Sequence, residues 1–176
     1  QFPNNDALVV CHQDVKWSYK QLNDKVDKLA TGLLALGISK GDRLGIWGPN
    51  SYEWVLTQLA TAKIGVIMVC INPAYRLFEL EYALNKVECK AIISAESFKS
   101  SKYLSMLNEL APELKTAQPG QLVSAKIPSL TTVIRMGDDA TPGMFNFSDV
   151  CKLGNQKEQA ELEKLRRVLQ PDDAIN

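Results

Sequence analysis

The chain is 176 residues long, 45% hydrophobic and 23% charged, enough for one well-packed core or for a domain with an appendage. Lysine plus arginine and aspartate plus glutamate are both 20, which removes any general electrostatic case for nucleic acid or an anionic membrane. No apolar run approaches the ~20 residues needed to span a bilayer.

The chain begins with Gln1 and carries no signal peptide or Arg-rich transit segment, so a processed or truncated product is expected. Its cysteines, Cys11, Cys70, Cys89 and Cys151, are scattered, with neither a CxxC pair nor a disulfide framework. They read as small core or surface residues in a reducing compartment, with Cys70 inside a buried strand.

In chain order, Ala7–Cys11 and Val15–Tyr19 flank the turn-like His12-Gln13-Asp14 and predict a hairpin. His12, the only histidine, reads as a solvated turn residue. Ser18 is placed to cap a long helix whose apolar stripe is Tyr19, Leu22, Val26, Leu29, Leu33 and Leu36, ended by Gly37. Three apolar runs follow, Leu44–Trp47, Val66–Ile71 and Ala91–Ile93, alternating with two helix-length segments. Runs without polar alternation suit strands covered on both faces, so a parallel β-α-β-α-β unit is predicted. Ser51 caps the helix Tyr52–Ile64, and Gly65 ends it. The next helix carries Leu77, Leu80, Leu84 and Val87 on one face.

A third helix is predicted over Phe98–Ala111, with Lys99 and Lys102 near its first turn, where cations oppose the helix dipole. Pro112–Pro128 reads as a long surface excursion, Leu130–Arg135 as a fourth parallel strand, and Met136–Met144 as a loop. Ser148 is expected to cap a short helix ending near Gly154. Glu158–Leu169 reads as an amphipathic helix with Leu162, Leu165 and Leu169 inward and a Glu163–Arg167 ion pair. Pro171-Asp-Asp-Ala-Ile-Asn176 reads as the lead-in to another strand, so the natural chain is expected to continue.

The fold class predicted is therefore α/β: hairpin plus helix (1–36), a doubly wound, mostly parallel core (37–135), then loop and helices leading to a truncated strand (136–176). In such sheets ligands gather at the carboxyl ends of the strands. The turns Gly48-Pro49-Asn50-Ser51 and Asn72-Pro73-Ala74-Tyr75 lie at that edge, although plain turn and cap chemistry accounts for each alone. GxGxxG after a strand, GxxxxGK[ST], GxSxG, HExxH and clustered metal ligands are all missing. The residues alone thus predict no catalytic group and no metal ligand.

Five phrases carry more information in combination. They are Trp17-Ser-Tyr-Lys-Gln-Leu22, Leu36-Gly-Ile-Ser-Lys-Gly-Asp-Arg-Leu44, Gly48-Pro-Asn-Ser-Tyr-Glu-Trp54, Leu59-Ala with Gly65, and Asn72-Pro-Ala-Tyr75 with Glu79-Leu80. In this order and spacing, the chain resembles the N-terminal portion of AMP-forming acyl-CoA synthetases. These belong to the adenylating superfamily that includes firefly luciferase and nonribosomal peptide adenylation domains. The likeness covers almost the whole chain and is strongest to a medium-chain, mitochondrial branch.

The resemblance implies a partial AMP-binding domain of a fatty acid:CoA ligase using ATP, Mg and CoA, located in the mitochondrial matrix. Its phosphate loop, metal site and catalytic lysine would lie outside these residues, so residues 1–176 alone are expected to be inactive and to expose apolar surface. It also implies a contribution to the CoA site from Asn72, Pro73, Lys99 and Lys102. Solvated surface lysines are the plainer reading of the last two. The expected partners are small-molecule substrates and the remainder of the same chain. The alternative is a free-standing flavodoxin-like binding module. A Ser/Thr/Gly-rich loop following Asn176 would favour the ligase, and a stop codon the module.

Overall fold

A computed structural model describes residues 2–176. The hairpin is β1 (Asp6–Val10) paired antiparallel with β2 (Val15–Ser18). The turn between them winds through a short 3-10 segment, Cys11–Gln13, and closes on Asp14 with φ 51°. Ser18 Oγ then accepts from the Gln21 amide while Gln21 returns a bond to the Ser18 amide, a capping box that starts α1 (Tyr19–Ala35). Val26, Leu29 and Leu33 are buried as the spacing requires, each worth about 1.5–3 kcal/mol relative to exposure. Tyr19 departs from the expected stripe: at the first helical position it lies beyond the packed core and is 57% exposed.

The main sheet has five strands in the order β4-β3-β5-β6-β7, and every neighbouring pair is parallel. These strands are β3 (Arg43–Trp47), β4 (Ile67–Cys70), β5 (Ala91–Ser94), β6 (Thr132–Arg135) and β7 (Met144–Asn146). The helices are α2 (Tyr52–Ile64), α3 (Leu77–Lys86), α4 (Tyr103–Leu110), α5 (Phe147–Leu153) and α6 (Gln156–Val168). Helices α1, α2, α5 and α6 pack together, and α3 packs on α4. Strands β5 and β6 are buried along their whole length. Gly65 takes φ 69° and ends α2 as a left-handed cap.

Several expectations are corrected. Cys70 is exposed, because β4 is an edge strand and its last residue is uncovered. The helix expected from Phe98 begins only at Tyr103. Lys99 adopts φ 52°, and Phe98 and Ser101 exchange backbone bonds of 2.9 Å around a tight turn that helix geometry cannot share. The excursion 112–128 is not merely superficial: Leu114, Leu122 and Ile127 plug into the core. Within the expected loop Met136–Met144, the last residue instead opens β7. Ser148 sits inside α5 and donates to Asp138 across 3.0 Å, and Asn146 occupies the cap position without a side-chain capping bond. Glu163 pairs with Arg166, not Arg167, because Arg166 faces α1 and also reaches Asp27 at 2.7 Å.

The last residues run beside β4. The Met68 amide donates to the Ile175 carbonyl at 2.9 Å, and Lys40 bonds Asp173 at 2.8 Å. Ile175 thus takes up one of the hydrogen-bonding groups along the free edge of β4. No helix among the described residues is long and apolar enough to cross a membrane.

Candidate functional site

The carboxyl edge of the sheet is organised by two aromatic side chains. Trp47 ends β3 and Tyr103 begins α4; both are fully buried, and their rings stack with centroids 3.9 Å apart. Each turns its polar tip to the same loop. Trp47 Nε1 donates to the Asn72 carbonyl at 3.1 Å, and the Tyr103 hydroxyl donates to the Pro73 carbonyl at 2.8 Å. Burial satisfied in this way lets large amphipathic rings sit in a core without an orphaned donor. Asn72 adds its own turn: Oδ1 accepts from the Ala74 amide at 2.9 Å, and its carbonyl accepts from the Tyr75 amide at 3.0 Å. The Asn72-Pro73 backbone is consequently fixed on a rigid aromatic support.

The structure therefore brings Asn72 and Pro73 next to the segment that carries Lys102. Lys102 is exposed and immediately precedes Tyr103. Lys99 is exposed in the tight turn before it, with Nζ 5.4 Å from the centre of the Phe98 ring. Lys99 lies outside the helix, so the dipole argument does not apply to it, but Lys102 is the N-cap of α4 and its charge does oppose that helix dipole. Arg76, overlooked in the sequence, belongs to the same edge: it is exposed at the N-cap of α3. Burial raises the Tyr103 phenol above 10.0, and the Arg76 charge nearby pulls it back. Among the described residues, Arg76, Lys99 and Lys102 have no carboxylate partner. Unpaired cations around a fixed backbone loop can receive a polyanion such as a phosphate ester.

Arg135, at the end of β6, is a different kind of cation. Its guanidinium is buried and bonds the Met136 and Asp139 carbonyls, the Thr141 hydroxyl, Glu96 and Asp139. These bonds fold the loop between β6 and β7 over the sheet edge and leave the side chain committed to structure. At the hairpin tip, Gln13 is the working residue: Oε1 accepts from the Tyr52 amide at 2.8 Å and Nε2 donates to buried Glu53 at 2.9 Å. Gln13 thereby closes the α2 N-terminus, leaving adjacent His12 exposed.

A family profile described as AMP-binding enzyme matches residues 1–174. The chain belongs to the AMP-binding enzyme family. Over 177 aligned residues it is 48% identical to the Mus musculus medium-chain acyl-CoA ligase ACSF2, mitochondrial, covering 100% of this chain and 29% of that one. The Danio rerio protein of the same name is 44% identical, with 100% and 29% covered. The chain thus spans about 29% of the length of these curated relatives.

Solved structures agree on the fold. The anthranilate CoA ligase AuaEII superposes with a TM-score of 0.72 at 21% identity, covering 87% of this chain and 26% of that one. The N-terminal domain of FACL13 from Mycobacterium tuberculosis superposes at 0.63 and 22% identity, covering 99% and 34%. The resemblance read from the ordered phrases therefore holds, as does the α/β class of this AMP-binding family member.

Among the described residues no group of three or more His, Cys, Asp or Glu side chains is arranged to hold a metal ion.

Proposed function

We propose that this chain is scaffold from the N-terminal, nucleotide-activating domain of a medium-chain fatty acid:CoA ligase of the mitochondrial matrix. The complete enzyme joins a fatty carboxylate to the α-phosphorus of ATP, releasing pyrophosphate, and the CoA sulfur then attacks the acyl carbonyl, releasing AMP. Family membership and the ligase relatives support this reading. Residues 1–36 form the hairpin and helix of that scaffold, 37–135 its sheet core, and 136–176 the passage to the next strand. In this reading the phosphate loop and the catalytic lysine lie outside these residues, so the chain by itself is inactive.

Its own contribution is the carboxyl-edge loop. The bond from Tyr103 to Pro73 carries this proposal, because it ties the Asn72-Pro73 backbone to the residue that follows Lys102. The fixed carbonyls and unpaired cations suit the phosphate-bearing end of CoA. In the complete enzyme, Lys99→Glu with Lys102→Glu should raise KM for CoA about tenfold or more and leave fatty acid-dependent ATP–pyrophosphate exchange unchanged. An unchanged KM removes these residues from the CoA site.

A further inference from the structure

A cavity of about 520 Å3 lies where β2, α1, α2 and α5 meet. One side is aromatic. Trp17 and Tyr52 meet edge to face with centroids 5.2 Å apart, and Tyr52 meets Phe147 in the same manner at 6.4 Å. The other side is cationic. Lys25 and Lys28 stand one turn apart on α1, Lys152 approaches from α5, and no Asp or Glu lines the space.

The nearby acids are already engaged. Asp24 holds Lys20 at 2.9 Å, Asp27 holds Lys63 at 2.6 Å and Arg166 at 2.7 Å, and Asp149 holds Lys152 at 2.9 Å. Asp138 accepts from Ser148. Lys25 and Lys28 are left without a carboxylate partner among the described residues, and Lys25 instead places Nζ 4.6 Å from the centre of the Trp17 ring. Two like charges one turn apart on a helix repel each other. An anion between them would offset that repulsion.

The cavity's shape is set by close helix contacts. A methyl at Gly32 would strike the Val150 carbonyl, and one at Gly154 would strike Thr31, which fixes the spacing of α5 from α1. The Cys151 thiol lies in the lining. Burial pushes it up to about 11 against the pull of the Lys25, Lys28 and Lys152 charges. Burial and the neighbouring Glu53 push the Tyr52 phenol up to about 12, so it remains a neutral donor at pH 7.

We propose that this cavity binds a small aromatic carboxylate, its ring against Trp17, Tyr52 and Phe147 and its carboxylate between Lys25 and Lys28. Aromatic walls with a few convergent polar groups are the usual makings of a small-molecule site, and charge-assisted bonds fix the anionic end. The site is independent of the carboxyl-edge loop and of the ligase reading.

The test follows Cys151 in the full-length protein. Its alkylation by N-ethylmaleimide is measured by peptide mass spectrometry in the presence of benzoate, benzyl alcohol or inorganic phosphate. Benzoate should slow modification saturably at millimolar concentration, while the neutral aromatic and the bare anion should not. Lys25→Glu with Lys28→Glu should weaken benzoate protection about tenfold or more, while Lys25→Arg with Lys28→Arg keeps it. Thermal unfolding checks that the variants fold, and Lys25→Gln with Lys28→Gln is read in place of the glutamate pair if that pair does not. No benzoate protection, equal protection by either control compound, protection that survives loss of both charges, or a Cys151 that does not react in the native protein would each overturn the proposal. Benzoate bound elsewhere leaves the Cys151 rate unchanged and counts against it as well.

Discussion

The Tyr103 hydroxyl donates to the Pro73 carbonyl across 2.8 Å, joining the loop after β4 to the start of α4. Removing the oxygen alone should free the loop without dismantling the aromatic stack, because Trp47 still contacts the ring and still bonds Asn72. Tyr103→Phe is therefore expected to lower stability by about 1 kcal/mol in urea unfolding. In the complete enzyme it should also raise KM for CoA more than it lowers ATP–pyrophosphate exchange. Wild-type stability in the variant would show that the bond contributes nothing.

A second expectation concerns Gly32, which presses against the Val150 carbonyl with no space for a methyl. The obstacle is the Val150 backbone, so the clash cannot be relieved by rotating a side chain out of the way. Gly32→Ala should cost roughly 1–3 kcal/mol, whereas helix propensity alone would stabilise by up to about 1 kcal/mol. The sign of the change in unfolding midpoint decides which effect wins.

Acid stability follows from Asp42 and Asp173, both held below 3.8. Burial pushes Asp42 up, but the Lys90 ammonium at 2.7 Å and the Ser39 amide and hydroxyl together outweigh it. Asp173 is lowered first by Lys40 and then by the Gln170 amide. For a depressed carboxyl, the unfolded chain binds more protons between the two pKa values, so stability rises with pH there. The contribution is complete above 3.8 and disappears as pH falls through the folded values. Lys90→Met should remove part of it and move acid unfolding to higher pH, followed by tryptophan fluorescence. An unmoved acid midpoint would contradict the assignment.

How far the sequence could be read depended on how local each signal was. The parallel core was legible because Leu44–Trp47, Val66–Ile71 and Ala91–Ile93 are unbroken apolar runs, and because Ser18, Ser51 and Gly65 are caps that act on adjacent residues. Cys70 was misplaced because an apolar run does not distinguish an edge strand from a central one. Strand β7 escaped notice because Met144-Phe-Asn146 is too short to show a period. At the candidate site, the Asn72-Pro73 turn was visible as local chemistry. The link from that turn to Tyr103 was not, since it arises only when Tyr103 docks under a loop distant in sequence.

The central claim is that these residues support a ligase whose reacting groups lie elsewhere in its chain. Fatty acid-dependent ATP–pyrophosphate exchange tests it most directly, measured side by side on the complete protein and on residues 1–176. Exchange is expected for the complete protein and none for residues 1–176. Exchange by residues 1–176, or none by the complete folded protein with any medium-chain fatty acid, would contradict it.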